Sequence, residues 1–188
     1  MKIKYSLKEH FARTIIFYLL GLVVVPLLCS YTILLKTKPK ATQRFAFFSE
    51  LNYVDESSFK QKLFDILPED LQIDTYMSSP SDSLFTTSVS SYGLNSDICL
   101  LSKTTLDKFT SIEFLDFTNT SWDKENNYHF KDYSIGVLYK DNTLFKLPES
   151  DEQYYLLTLK KSVHLKGILD SGKTDQVNRV LEYLTSNV

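Results

Sequence analysis

The segment Gly167–Thr174, GILDSGKT, has the spacing G-x-x-x-x-G-K-[ST] of a phosphate-binding P-loop. Such a loop wraps the phosphates of a nucleotide with backbone N–H groups, and its Lys and Ser or Thr contact the terminal phosphates and magnesium. Two features oppose this chemistry here. Ile168 and Leu169 put bulky side chains where the loop must curl around an anion, and no later strand supplies an aspartate for the metal. We therefore interpret the segment as a turn in which Ser171 or Thr174 caps the last helix, with a nucleotide-binding loop as the alternative.

Other catalytic or metal-binding patterns do not occur in the sequence. His10, His129 and His164 are far apart, and there is no H-E-x-x-H, C-x-x-C or G-x-S-x-G spacing. The balance of 21 basic and 23 acidic residues gives no reason to expect the concentrated basic face that nucleic-acid binding needs. The sequence therefore predicts a protein that is not an enzyme, with no catalytic residues, no metal ligands, no cofactor and no nucleic-acid partner.

The segment 14–35, TIIFYLLGLVVVPLLCSYTILL, contains no charged residue. At a rise of about 1.5 Å per residue it matches a hydrocarbon core of about 30 Å, which predicts a transmembrane helix in contact with membrane lipid. Gly21 and Pro26 are tolerated in such a helix because the bilayer offers no competing water-bonded conformation. A cleaved signal peptide is the alternative. The length of the apolar run and the lack of a small-x-small cleavage pattern after it favour an uncleaved anchor.

The orientation of this span is predicted from the usual layout of signal anchors, because the flanking charges are balanced. Four basic residues precede the span and four follow it in residues 36–44, so the positive-inside rule gives no decision. A short flank, one span and a larger following domain predict a cytoplasmic segment 1–13, a polar linker 36–44 and an extracytoplasmic domain 45–188. The predicted location is the plasma membrane, crossed in a single pass.

Residues 45–188 alternate between strand and helix patterns. The apolar run Arg44–Leu51 predicts a buried strand, and residues 55–68 place Phe59 and Leu63 on one helical face. Further strands are predicted at Leu71–Met77, Asp97–Leu101, Tyr133–Tyr139 and Tyr154–Leu165, and further helices at Asp82–Ser91, Thr104–Phe109 and Asp175–Leu184. Two strands joined by a helix form a right-handed unit with parallel strands. The pattern therefore predicts one three-layer α/β domain with a mainly parallel mixed sheet.

The segments GLNSDICLLSKTTLDKF and FLDFTN resemble the first lobe of the extracytoplasmic solute-binding proteins of bacterial ABC importers. YSIGVLY and YYLLTLKKSVHL look like the paired strands of that family, and Lys160-Lys161 stands where the second strand often ends in Asn-Lys. The resemblance covers residues 45–184 and implies a periplasmic-binding-protein-like fold. Those proteins trap a solute between two lobes, whereas about 150 residues outside the membrane build one domain of typical size. The resemblance therefore implies a single lobe that binds another membrane protein or a small solute.

Ligands of open α/β sheets bind at the loops leaving the carboxyl ends of the parallel strands, where helix N-termini point their N–H groups. The resemblance implies the same edge. The predicted ligand- or partner-binding residues in these loops are Asn52, Tyr53, Ser79, Asp82 and Ser102. The alternative is that these residues turn the chain and cap helices, and that the working surface is the loop Ser121–Phe130. In that loop, however, a solvated turn with one aromatic side chain packed on the domain is the simpler interpretation.

These features predict a non-enzymatic, single-pass membrane protein whose extracytoplasmic domain binds a ligand or a partner, as an accessory component of a bacterial membrane complex. The alternative is a membrane-tethered cytoplasmic protein that binds a nucleotide through GILDSGKT.

Overall fold

A computed structural model describes residues 7–37, 41–109, 113–140, 143–165 and 176–186. The chain divides into two compact units, Met1–Pro39 and Lys40–Val188. The segment 167–174, which has the P-loop spacing, lies outside the described residues. Its interpretation as a turn and the nucleotide-binding alternative therefore stay predictions.

The first unit contains one long helix, α1, from Leu7 to Thr37. Its segment Thr14–Tyr31 has a mean hydropathy of 2.2, and none of that segment is buried. A helix of 31 residues is about 46 Å long, more than the roughly 30 Å of a hydrocarbon core. Within the described ranges, α1 is the one helix long and apolar enough to cross a membrane. The long apolar helix predicted over residues 14–35 is confirmed.

The second unit is built on one six-stranded mixed sheet with the strand order β2-β1-β3-β6-β5-β4. The strands are β1 (Arg44–Ser49), β2 (Gln72–Met77), β3 (Ile98–Ser102), β4 (Tyr128–Phe130), β5 (Tyr133–Tyr139) and β6 (Tyr154–Thr158). β1 pairs in parallel with β2 and with β3, and the other three neighbouring pairs are antiparallel. The α/β class and the parallel pairing of β1 with β2 are confirmed.

The sheet differs from the sequence-based expectation in one respect: it is mixed in nearly equal parts rather than mainly parallel. Only Lys131 and Asp132 separate β4 from β5, and so short a connection can join only antiparallel strands. The strand expected over Tyr154–Leu165 ends at Thr158, because the chain turns at Lys160 and Lys161. The antiparallel half of the sheet therefore begins at β6.

Four α-helices accompany the sheet in the described part of this unit: α2 (Glu56–Ile66), α3 (Phe85–Ser91), α4 (Lys103–Leu106) and α5 (Gln176–Thr185). Each lies where the sequence predicts a helix, with ends shifted by a few residues. α2 begins after Asp55, whose Oδ1 accepts hydrogen bonds from Ser57 N and Ser58 N at 2.9 and 3.2 Å. This N-cap is local, which is why the start of α2 can be read from the sequence.

Alternate side chains of the strands belong to two separate apolar clusters. Phe47 of β1 packs in a cluster with Phe59 of α2 and with side chains of α5. Its neighbour Phe48 packs in a second cluster with Val89 of α3 and Leu106 of α4. Successive side chains of a strand point to opposite faces, so both faces of β1 are covered. This explains why the sequence of β1 is an almost unbroken apolar run.

Candidate functional site

The carboxyl ends of β1 and β3 meet beside a buried carboxylate. Glu50 follows β1 directly and is 3% exposed. Its carboxylate accepts hydrogen bonds from Ser102 N at 2.9 Å, Ser102 Oγ at 2.7 Å and Thr105 Oγ1 at 3.1 Å. Ser102 is the N-cap of α4, and its Oγ accepts from Thr105 N at 3.1 Å. The protein's own negative charge therefore lies against the N-terminal end of α4.

Three further carboxylates bind backbone N–H groups at this edge of the sheet. Asp55 caps α2, as described above. In the turn before α3, Oδ2 of Asp82 accepts from Ser79 N at 2.8 Å. Glu152 accepts from Thr104 N at 2.8 Å and from Thr104 Oγ1 at 2.9 Å. Bonds of this kind are typical of residues that turn the chain and cap helices, which is the alternative interpretation of the predicted binding residues. Binding by those residues stays a prediction.

The structure places the five predicted binding residues in different environments. Asn52 and Asp82 are exposed, Ser79 is half-buried, and Tyr53 and Ser102 are buried. Ser79 and Asp82 are hydrogen-bonded to each other, whereas Ser102 is bonded to Glu50. Within this set, Asn52, Ser79 and Asp82 are the residues that a large partner could reach from solvent.

Tyr53 is a core residue. Its ring centroid lies 5.1 Å from that of Phe59 and 5.2 Å from that of Phe145. Burial raises the pKa of the Tyr53 hydroxyl, and the neighbouring charge of Glu56 raises it further. That hydroxyl has no hydrogen-bond partner in the part of the chain that the structure describes. The described contacts of the Tyr53 side chain are therefore packing contacts of its ring.

A cavity of about 420 Å³ lies at the opposite end of the parallel strands, beside the amino ends of β1 and β3. Its wall is formed by residues from four separate parts of the chain: Arg44 and Ala46; Tyr76; Ser91, Tyr92 and Asn95 to Asp97; and Lys161 to Val163. The last group follows β6, and because β6 is antiparallel to β3 its carboxyl end returns to this edge. The cavity therefore exists only once the parallel and antiparallel halves of the sheet have paired.

Two cations line this cavity. Arg44 forms an ion pair with Asp74, and its Nε donates to Asp74 Oδ2 at 2.6 Å. Its Nη2 donates to the hydroxyl of Tyr76 at 2.9 Å. The hydrogen bond with Asp74 holds the pKa of Arg44 above its ordinary value. Lys161 donates from Nζ to Asn95 Oδ1 at 2.9 Å, and the described residues contribute no carboxylate within ion-pairing distance of it.

An aromatic pair lies between these polar groups. The rings of Tyr76 and Tyr92 are stacked, with centroids 4.7 Å apart and an interplanar angle of 22°. Tyr92 is 48% exposed, so much of its surface remains in contact with solvent. The cavity thus combines cationic donors with an accessible aromatic surface.

Asp97 connects the strands that border the cavity. It is 7% exposed, its Oδ2 accepts from Ala46 N at 2.8 Å, and its Oδ1 accepts from Ser162 Oγ at 2.5 Å. His164 lies nearby, with Nε2 2.7 Å from the carbonyl oxygen of Arg44. Burial raises the pKa of Asp97, although the hydrogen bonds from Ser162 and Ala46 act in the opposite direction. Asp97 therefore holds the start of β3, the start of β1 and the segment after β6 in fixed positions.

Sequence reasoning did not assign these cavity residues. The signals for them are weak and scattered: a basic residue opens β1, an acidic residue precedes β3, and two lysines follow β6. Arg44 and Lys161 are separated by most of the folded unit, so no local motif can contain both. Sheet pairing is what brings them to one cavity.

The loop Ser121–Phe130 is anchored to the body of the domain. Trp122 is 7% exposed, and its Nε1 donates to Asn178 Oδ1 of α5 at 2.9 Å. Asn127 donates from Nδ2 to Trp122 O at 2.7 Å and to Ser134 Oγ at 2.8 Å. Trp122 is packed on the domain as expected, but Tyr128 of the same segment is also buried, at 8% exposure. Two aromatic side chains of the loop, rather than one, are therefore packed on the domain.

Among the described residues, no group of three or more His, Cys, Asp or Glu side chains could hold a metal ion. No known protein family, curated protein or solved structure matches the chain. The resemblance to solute-binding proteins therefore stays a prediction from the sequence segments that carry it.

Proposed function

We propose that the chain is a single-pass plasma-membrane protein whose α/β domain lies outside the cytoplasm and binds a partner, without enzymatic activity, as an accessory component of a bacterial membrane complex. In this proposal the domain is a single lobe of the solute-binding-protein type. Its two apolar clusters, on alternate faces of the strands, are the two interfaces of a three-layer arrangement.

The observation that supports membrane anchoring is the exposure of the apolar side chains of α1. Phe17, Leu22 and Leu27 are 75%, 70% and 64% exposed, and they belong to an 18-residue segment of which no part is buried. Apolar surface left in water costs about 25 cal/mol per Å², so a helix with this surface needs an apolar environment. A bilayer supplies that environment at the matching thickness.

Membrane insertion can be tested with a charge at the centre of the span. Val23→Arg places a guanidinium near the middle of the bilayer, which disfavours insertion by about 2.5–3.5 kcal/mol, whereas the control Val23→Leu keeps the segment apolar. We expect the wild type and Val23→Leu to stay in the membrane fraction after alkaline carbonate extraction, and Val23→Arg to lose most of its insertion. Release of the wild-type chain by carbonate would contradict membrane anchoring.

The side of the domain can be tested separately with reporters fused after Val188. Alkaline phosphatase is active outside the cytoplasm, whereas green fluorescent protein becomes fluorescent inside it. We expect phosphatase activity and no fluorescence. Fluorescence without phosphatase activity would contradict the proposed orientation and favour the cytoplasmic alternative.

For the partner surface we propose the exposed residues in the loops at the carboxyl ends of the parallel strands. Asn52→Ala combined with Ser79→Ala removes two polar side chains from it without removing the Asp82 carboxylate. A matched control, Lys124→Ala with Glu125→Ala, changes exposed residues of the loop Ser121–Phe130. We expect chemical crosslinking in membranes to lose the partner with the first variant and to keep it with the second. Equal capture by both folded variants would show that this edge is not the partner surface.

A further inference from the structure

We infer that the cavity beside the amino ends of β1 and β3 is a binding site for a small organic anion that carries a ring. This goes beyond the proposed function, which concerns membrane anchoring and a partner at the other edge of the sheet. The size of the cavity, about 420 Å³, lies within the range of small-molecule sites, about 300–1,000 Å³.

The hydrogen-bonding capacity left in the cavity consists mainly of donors. A lysine has three N–H donors, and Lys161 uses one of them on Asn95 Oδ1. Arg44 has five, and its described bonds use Nε and Nη2 towards Asp74 and Tyr76. Nη1 of Arg44 and two donors of Lys161 have no acceptor in the described part of the chain. A ligand with several acceptor oxygens would complete them.

The carboxylates near the cavity already have donors. Asp74 accepts from Arg44 Nε and, through Oδ1, from Gln72 Nε2 at 2.9 Å. Asp97 accepts on both oxygens, from Ala46 N and Ser162 Oγ. Their negative charge is therefore offset by bonds within the protein, whereas among the described residues the ammonium group of Lys161 is bonded to a neutral amide alone. A carboxylate or phosphate would supply the missing counter-charge, and Arg can hold either group with two parallel hydrogen bonds.

The aromatic pair indicates what the rest of the ligand is. Tyr76 is fixed by the bond from Arg44 to its hydroxyl, and Tyr92 stacks on it while 48% exposed. Stacked and edge-on arrangements of rings are favourable, and they lose little side-chain entropy here because the pair is already ordered. A planar or ring-shaped part of the ligand would therefore pack on Tyr92 while its anionic group contacts Lys161 and Arg44.

The test uses the full chain in a neutral detergent, with phenyl phosphate as the probe. Inorganic phosphate keeps the charge without the ring, and phenol keeps the ring without the charge. By isothermal titration calorimetry we expect saturable binding of phenyl phosphate, weaker binding of inorganic phosphate and no detectable binding of phenol. Because the contact is electrostatic, the affinity should fall as salt is raised.

Matched variants locate the binding. Lys161→Ala should lower the affinity for phenyl phosphate about tenfold or more, and Lys161→Arg should keep most of that affinity. Lys160→Ala, next to it in sequence but outside the cavity wall, should have little effect. Tyr92→Ala should lower the affinity for phenyl phosphate and leave the affinity for inorganic phosphate unchanged. Tyr133 has a similar exposure, 46%, outside the cavity, and Tyr133→Ala should change neither affinity.

Any of three results would overturn the inference. The first is no saturable binding of phenyl phosphate up to roughly 10 mM, which is about 4 orders of magnitude above a micromolar Kd. The others are an equal loss of affinity in Lys160→Ala and Lys161→Ala, or binding of phenol as tight as that of phenyl phosphate. A cytoplasmic location of the domain would contradict the proposed function without altering these affinities. Conversely, a failure of phenyl phosphate to bind would leave membrane anchoring intact.

The anionic group could belong to a dissolved solute or to a phospholipid headgroup, since both offer phosphate oxygens. The same titration in nanodiscs separates these sources. If phosphatidylglycerol nanodiscs weaken phenyl phosphate binding relative to phosphatidylcholine nanodiscs, the site is supported and its natural occupant is a headgroup. If the two nanodiscs give the same affinity, the site is supported and its occupant is a solute.

Discussion

Removal of the Glu50 side chain tests whether this buried carboxylate is a structural cap. Glu50→Ala deletes the acceptor of three hydrogen bonds, from Ser102 N, Ser102 Oγ and Thr105 Oγ1. The two hydroxyls can still bond to each other, since their oxygens are 3.0 Å apart. The backbone N–H of Ser102, in contrast, has no other described acceptor. We therefore expect this orphaned donor to dominate the loss of stability.

The magnitude follows from two contributions. An unsatisfied buried donor costs about 1–3 kcal/mol, and the loss of the one buried methylene group that Ala lacks costs about 0.8 kcal/mol. Relief of the desolvation of a buried charge acts in the opposite direction. We expect a loss of about 2 kcal/mol for Glu50→Ala. Glu50→Gln keeps the methylene groups and one acceptor oxygen, and the two hydroxyls can accept from its amide, so its loss should be nearer 1 kcal/mol.

Urea unfolding of the full chain in neutral detergent measures these differences. Trp122 is the single tryptophan and is buried against α5, so its fluorescence reports unfolding of the domain. With a urea dependence of about 2 kcal/mol per M, the midpoint should fall by about 1 M for Glu50→Ala and by about 0.5 M for Glu50→Gln.

Glu152→Ala is the matched control, because Glu152 binds Thr104 on the same helix but at an exposed position. Capping bonds contribute about 0.5–2 kcal/mol, and this exposed one should lie at the lower end because water can replace the lost acceptor. We therefore expect its loss to be smaller than that of Glu50→Ala. A Glu50→Ala chain no less stable than Glu152→Ala would refute the reasoning. It would mean that the carboxylate is not required for the fold and is available for another role.

Three more predictions concern single sites. Burial raises the pKa of Asp97, so the folded protein holds the proton of this carboxyl more tightly than the unfolded chain does. Lowering the pH from 7 to 4 should therefore stabilise the wild type relative to Asp97→Asn. A stability difference between the two proteins that does not depend on pH would contradict this. Gly136→Ala should cost about 1–3 kcal/mol in urea unfolding, because its new methyl would lie 3.1 Å from the Cβ of Tyr155; a loss under about 0.5 kcal/mol would show that the strands can separate freely there. Asn178→Ala should cost about 1–2 kcal/mol and shift Trp122 emission, because the indole N–H loses its acceptor; unchanged emission would place that bond in doubt.

The elements of the fold could be predicted because their signals are local. Phe59 and Leu63 recur on one face of α2, and Asp55 caps the helix from its own N-terminal end. The apolar run of β1 indicates a strand buried on both faces, which the two clusters confirm. The charge-free run inside α1 indicates a helix suited to a membrane by its length alone.

The pairing of the second half of the sheet could not be read in the same way. Strand periodicity shows which residues share a face, but a parallel and an antiparallel neighbour leave the same alternation in the sequence. β6 joins β3 in antiparallel orientation, a choice that depends on the whole chain between them. The prediction of a mainly parallel sheet fails for this reason.

The sequence by itself determined the long apolar helix, the α/β class and the positions of most strands and helices, because each depends on residues close together in the chain. Tertiary structure alone decided that Glu50, a charged residue after a strand, is buried against α4 rather than exposed in a turn. It also decided that Arg44, Tyr92 and Lys161 share one cavity. The physical reason is that burial and proximity here depend on strand pairing between distant segments, and that pairing is set by the packing of both faces of the sheet at once.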